Sequence, residues 1–381
     1  MTRLARTAAT ALLLVLAACT RHGAPPPAPA PGARATDHAA DVEKVLNVYT
    51  WSDYVAPDTV ANFERETGIK VRLDTYDNNE VLETKLLTGH SGYDVVTPSE
   101  NYFDHQLKAH VYRKLDKSVL TNLVHADPDI MRRMAVHDPG NQYAVPYMWA
   151  TTGIGYNLEQ VRARLGAQIP KSWSLLFDPA QAARLKDCGI TITDSAIDVF
   201  TSAIIALGRD PNRHSPEDLL DASARLRAIR PFVRSFQANP IADLANGDTC
   251  LALAWSGDAE MARQRARQAG RGVSIVYFVP EEGALLLIDM MAIPADAPHP
   301  GNAALWMNYL MRPEVAASIT NYIRYPNGIQ DSIPLLDADI AHDPGIYPDP
   351  ETRGRLVTAA AIDADYTRLM TREWTRFRTG Q

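Results

Sequence analysis

From Val45 onward the chain alternates short apolar runs with amphipathic stretches, and this alternation leaves few folds open. Residues 45–50 read as a buried strand, Asp58 caps a helix that Gly68 ends, and 69–76 is a second strand. Residues 79–88 read as a helix stopped by Gly89, 93–97 as a strand and 102–110 as a helix. A β-α-β-α-β series of this kind packs as an α/β layer around a mainly parallel sheet.

A second series follows Tyr147. Strands are expected at 151–156, 189–193, 251–255 and 273–278, with helices at 198–207, 216–229 and 258–269. The runs 285–293 and 303–311 then read as a strand and a helix returning to the first series, and the last 40 residues as mostly helical. With 381 residues, 46% of them hydrophobic, the chain can bury two cores. No internal repeat of fixed period is present, which excludes a solenoid.

Ahead of this, Arg3 and Arg6 precede an apolar run, 8–18, that is too short to span a bilayer. It closes as Leu16-Ala17-Ala18-Cys19, which resembles the lipobox of bacterial lipoproteins, where the cysteine is lipidated. Residues 1–19 are therefore expected to be a lipoprotein signal peptide with Cys19 as lipid anchor. Residues 20–43 are rich in Pro and Ala and should form a semi-rigid tether. Export leaves Cys188 and Cys250 in an oxidising compartment, where they are expected to form a disulfide. No Cys or His spacing points to a metal, and no cofactor is expected.

Aromatic and carboxylate neighbours recur at strand ends, the positions where open α/β sheets place ligands. They are Trp51-Ser52-Asp53-Tyr54, Trp255-Ser256-Gly257-Asp258, and Asp289 within the apolar run 285–291. An acid in that last setting is expensive to bury unless it meets a cation or donors. The arrangement suits an alkyl diamine, with carboxylates pairing the ammonium ends and aromatic faces covering the methylenes. Asp258 also suits a plain helix N-cap, and Tyr147 and Trp149 suit packing at a crossover between lobes.

The stretches Trp51-Ser52-Asp53-Tyr54-Val55-Ala56-Pro57, Asn79-Glu80-Val81-Leu82-Glu83, Pro146-Tyr147-Met148-Trp149-Ala150-Thr151-Thr152-Gly153 and Leu244-Ala245-Asn246-Gly247-Asp248 resemble the periplasmic polyamine-binding proteins of bacterial ABC transporters. That resemblance implies a two-lobed type II periplasmic-binding-protein fold with the ligand in the interdomain cleft. The lobes are expected at 44–150 plus about 288–330, and at 151–287 plus about 331–381. It further implies ligand contacts from Trp51, Ser52, Asp53, Tyr54, Ser99, Asp198, Trp255, Asp258, Leu287, Asp289 and Tyr325. The paired Cys188 and Cys250 also match the family. Expected partners are a small polyamine, the permease subunits of an ABC transporter and, through the lipid, a membrane, with the chain a monomer in the periplasm.

Two matched positions depart from the pattern. Asp198 stands where the family usually has a glutamate, and Leu287 where it has an aromatic residue. Losing that stacking face weakens a cation contact by about 0.5–1 kcal/mol if exposed and about 2 if desolvated. Ser52 and Asn101, in contrast, stand where spermidine-preferring members have Thr and Tyr, which favours a short diamine. Putrescine is the expected ligand, with cadaverine, agmatine and spermidine open.

Other classes fare worse. A formal charge of −7 argues against a nucleic-acid partner. A hydrolase would want a Gly-x-Ser-x-Gly elbow or a His-Glu-x-x-His helix, and the sequence has neither. A ferric-ion site could use Tyr322 and Tyr325 on one helical face, but no further oxygen ligands lie near them in sequence. A polyamine sensor for a membrane signalling partner would show the same residues.

Overall fold

The computed structural model describes residues 41–237 and 239–381. The signal peptide, Cys19 and the tether up to residue 40 lie outside the described residues. Among the described residues ten strands are seen: β1 Val45–Trp51, β2 Lys70–Tyr76, β3 Val95–Val96, β4 Ala144–Asn157, β5 Ile190–Thr193, β6 Ser235–Gln237, β7 Leu251–Trp255, β8 Ile275–Phe278, β9 Ala284–Ala292 and β10 Leu356–Val357. They run in the order β2-β1-β3-β9-β4-β7-β5-β6, with β8 on β4 and β10 on β9. The two outer groups, β2-β1-β3 and β7-β5-β6, are parallel as the β-α-β pattern requires. Strands β9 and β4 join them antiparallel, so the sheet is mixed at its centre.

Strand β4 organises the molecule. Its first half, through Thr151, pairs with β9, and from Thr152 it pairs with β7 and then also β8. All 14 of its residues are buried. The sequence marks this strand only from 151, because a strand covered on both faces shows no two-residue alternation. One apolar core gathers Leu46, Val48, Phe63, Ile69 and Trp306, and another gathers Trp173, Phe177, Ile190, Phe200 and Leu251. The fold is thus α/β and two-lobed, with β4 and β9 crossing between the halves.

Helix ends follow local chemistry. Helix α1, Thr59–Thr67, ends at Gly68 with φ 70°, a conformation that glycine adopts without strain. Asp58 precedes it, but its side chain accepts from Asn62 and makes no bond to the helix N–H groups. Helix α2, Asn79–Thr88, is capped by Asn78, whose side chain accepts from the Val81 N–H at 2.9 Å. Helix α3, Glu100–Lys108, begins two residues earlier than the sequence suggests. The C-terminal stretch is less helical than expected: Pro350–Gly354 and Ala364–Thr379 are helices, but β10 and irregular chain separate them.

Cys188 and Cys250 are bonded, as the cysteine count anticipates, with Cα atoms 5.4 Å apart. They precede β5 and β7, whose first residues Ile190 and Leu251 are paired.

Candidate functional site

The expected site residues converge where β9 crosses between the halves. Within β9, Leu286, Ile288 and Met290 are fully buried, while Leu287 and Asp289 are half-buried and share the opposite face. The Asp289 carboxyl is held from the first half of the chain. Ser99 donates to one of its oxygens at 2.5 Å and Tyr54 donates to the other at 2.5 Å. Burial nevertheless pushes its acid up to about 6, with those donors and Trp51 pulling the other way.

A second carboxyl closes the line. Tyr325 donates to Asp258 at 2.7 Å, and the Tyr54 and Tyr325 rings meet edge to face, 5.5 Å apart. Asp258 is buried and also raised to about 6 by its burial. It lies in the first turn of the helix Ser256–Ala269, where the positive end of the helix dipole favours an anion. It is not the N-cap: that position falls to Trp255.

The third carboxyl, Asp198, is almost fully buried at the start of the helix Ala196–Ala206. Thr152 donates to it at 2.5 Å, Ser195 at 2.5 Å and the Trp255 indole at 3.1 Å. Burial raises its acid, and these three donors work against the rise. The shorter acid at this position is thus fully engaged with its own neighbours.

Two expected contacts differ from the rest in exposure. Ser52 and Asp53 are exposed on the loop after β1, where Ser52 donates to Asp77 at 2.9 Å and Asp53 adopts φ 55°. One further residue enters that the sequence reading did not single out, and Tyr147 and Trp149 pack at the crossover as expected. Asn79 exchanges two 3.1 Å hydrogen bonds with Ser99, and so orients the hydroxyl that holds Asp289. The Tyr147 hydroxyl donates to the Tyr54 carbonyl at 2.5 Å, and the Trp149 indole to the Asn327 carbonyl at 3.0 Å. Both are buried supports of the crossover. The one signal for Asn79 was its place in the stretch that resembles the polyamine binders.

The helical-face arrangement of Tyr322 and Tyr325 does not hold. The helix Pro313–Ile323 ends at Arg324, which takes φ 65°, so Tyr325 turns inward to Asp258 while Tyr322 is exposed. A pair pointing apart offers no chelate.

Carboxyls from a strand and two helix starts, each held by hydroxyl or indole donors, gather where β4 and β9 cross between two α/β halves, as in a two-lobed binding protein. The chain belongs to the bacterial extracellular solute-binding protein family, whose model matches residues 58–348. It is 46% identical over 345 residues to the putrescine-binding periplasmic protein SpuD of Pseudomonas aeruginosa, covering 90% of this chain and 94% of that one. To the putrescine-binding periplasmic protein PotF of Escherichia coli it is 44% identical over 342 residues, covering 89% and 92%. Among solved structures, the spermidine/putrescine substrate-binding protein PotD of Streptococcus pneumoniae superimposes with a TM-score of 0.77 at 26% identity, covering 88% of this chain and 99% of that one. The chain shares their type II periplasmic-binding-protein fold, and it is a binder and not an enzyme.

Proposed function

We propose that this protein is an extracytoplasmic solute-binding lipoprotein that captures a polyamine, putrescine first among them, and delivers it to an ABC transporter. The observation that carries this is the line Asp258, Tyr325, Tyr54, Asp289: two raised carboxyls joined through two tyrosines, with Asp258 alone coming from the second lobe. An ammonium at each end of a short alkyl chain would supply the charge that these buried acids lack. Trp51 and Trp255 supply aromatic faces for the methylenes, and Ser52, Asp53, Ser99, Asp198 and Leu287 complete the contact set. SpuD and PotF bear names that state putrescine binding in the periplasm, and the name of the pneumococcal protein states spermidine and putrescine.

In this reading residues 44–150 with about 288–330 form one lobe and 151–287 with about 331–381 the other, closing as a monomer on the ligand. Cys19 carries the lipid that holds the protein at the membrane. A thermal-shift panel of polyamines tests the ligand class, since a ligand at 100 times its dissociation constant adds about 2.7 kcal/mol of stability. No shift with any amine overturns the reading. Asp289→Asn should abolish binding with the melt of the free protein retained, and calorimetry showing unchanged affinity would remove Asp289 from the site.

A further inference from the structure

One acid beside this site is not used by it. Glu100 follows Ser99 directly, opens α3 and is fully buried. Its Oε2 accepts from the backbone N–H of Ile288 at 2.6 Å, the residue between Leu287 and Asp289. Its Oε1 is buried and has no hydrogen-bond partner. The charged groups it feels are acids, Asp289 on β9 and Asp198 across the cleft, and they raise its proton affinity beyond what burial does alone. Asp289 and Asp198, by comparison, have a donor on each oxygen.

A plain cap for the Ile288 N–H does not account for this arrangement. A glutamine would accept that bond equally well and would leave no buried acid. An uncompensated carboxyl oxygen among other carboxyls is a costly thing to hold unless a cationic N–H reaches it. Within the described residues no such donor is available to Oε1.

We propose that Glu100 is a ligand-contacting, specificity-determining residue of the cleft: its Oε1 accepts from a nitrogen additional to the two ends of a plain diamine. That nitrogen is the inner amine of a triamine or an extra N–H of a guanidino head. This rests on the polyamine reading above, in which Asp289 and Asp258 already serve two ends.

The test is calorimetric titration of the full chain, wild type and Glu100→Gln, with putrescine, spermidine and agmatine, alongside the melt of each free protein. Glutamine keeps the Ile288 contact and removes the charge. The expected result is a loss of about tenfold or more for spermidine, agmatine or both, with putrescine kept within about threefold. Loss for spermidine alone assigns the inner amine, and loss for agmatine alone the guanidino head. Unchanged affinity for all three, or an equal loss for all three, overturns the inference. Should Glu100→Gln fail to fold, Glu100→Asp keeps the acid but withdraws the oxygen, and the same selective loss is expected. A wild type that binds putrescine while the variants show no selectivity defeats only this inference. A wild type that binds none of the three defeats the polyamine reading and this with it.

Discussion

Tyr325 packs directly against the backbone of Gly257: a Cβ placed on that glycine would stand 2.0 Å from two carbons of the ring. The ring's hydroxyl donates to Asp258, the next residue along. The helix start and the tyrosine loop therefore hold each other, and the carboxyl is aimed by a contact that only a hydrogen side chain allows.

Gly257→Ala should accordingly push Tyr325 off Asp258. Overpacking of this kind destabilises by about 1–3 kcal/mol. Loss of the charge-assisted hydrogen bond should weaken amine binding by about tenfold or more. Tyr325→Phe separates the two effects, since it keeps the ring against Gly257 and removes only the hydroxyl. Melts and calorimetry on both variants decide the matter, and wild-type affinity in Gly257→Ala would show that the two residues are not coupled.

The acids make binding and stability depend on pH with opposite signs. Burial raises Asp258 and Asp289 to about 6 from the ordinary value of 3.8, and raises Asp198 as well. At these acids the folded, ligand-free chain thus binds protons more tightly than the unfolded one. Their contribution to stability should fall as pH rises from about 4 through about 6, a fall that Asp289→Asn should reduce. A bound ammonium favours the carboxylates, so affinity should drop as pH falls below about 6, with protons released on binding in that window. Calorimetry at pH 5.5 in two buffers of different ionisation enthalpy measures the release, which Asp289→Asn should reduce. An affinity constant from pH 5 to 8 contradicts the account.

The disulfide should act on stability and not on affinity. It closes a separation of 62 residues at the start of β5 and β7, whereas Trp255 and Asp258 lie at and beyond the far end of β7. Five strand residues put roughly 16 Å between them. Replacing both cysteines by serine should reduce stability by about 2–4 kcal/mol. Putrescine affinity should stay within about threefold, measured below the lowered melting temperature. A large loss of affinity would mean that the bridge shapes the cleft.

Particular residues show why some of this is legible in the sequence and some is not. Strands β1, β3, β5 and β7 of the outer parallel groups announce themselves as short apolar runs between a helix and a turn, whereas β6, Ser-Phe-Gln, is too short and polar to be read. The start of β4 is hidden, since Pro146 interrupts it and its register with β9 shifts between Pro146 and Met148. Asp289 is visible as an acid in an apolar run. Glu100 is not, because an acid in a first helical turn is ordinary and only the fold reveals that it is buried. Tyr322 and Tyr325 mislead because Arg324 leaves the helix in a left-handed conformation, which spacing alone does not disclose.

Leu287 offers the sharpest test of the cleft's walls. It shares the face of Asp289, is half-buried and pairs in register with Ala150, a small residue that leaves room above the strand. The Asp289 carboxyl would hold an ammonium within reach of any ring placed two residues earlier on that face. Leu287→Phe should therefore tighten putrescine by about 0.5–1 kcal/mol, or about 2 if closure excludes water from the contact. Stability of the free protein should change little, because the position is not enclosed. Leu287→Ala should weaken binding through lost cover of the methylenes. Calorimetry on the pair reads both directions at once, and identical affinities in the two variants would place Leu287 away from the bound chain.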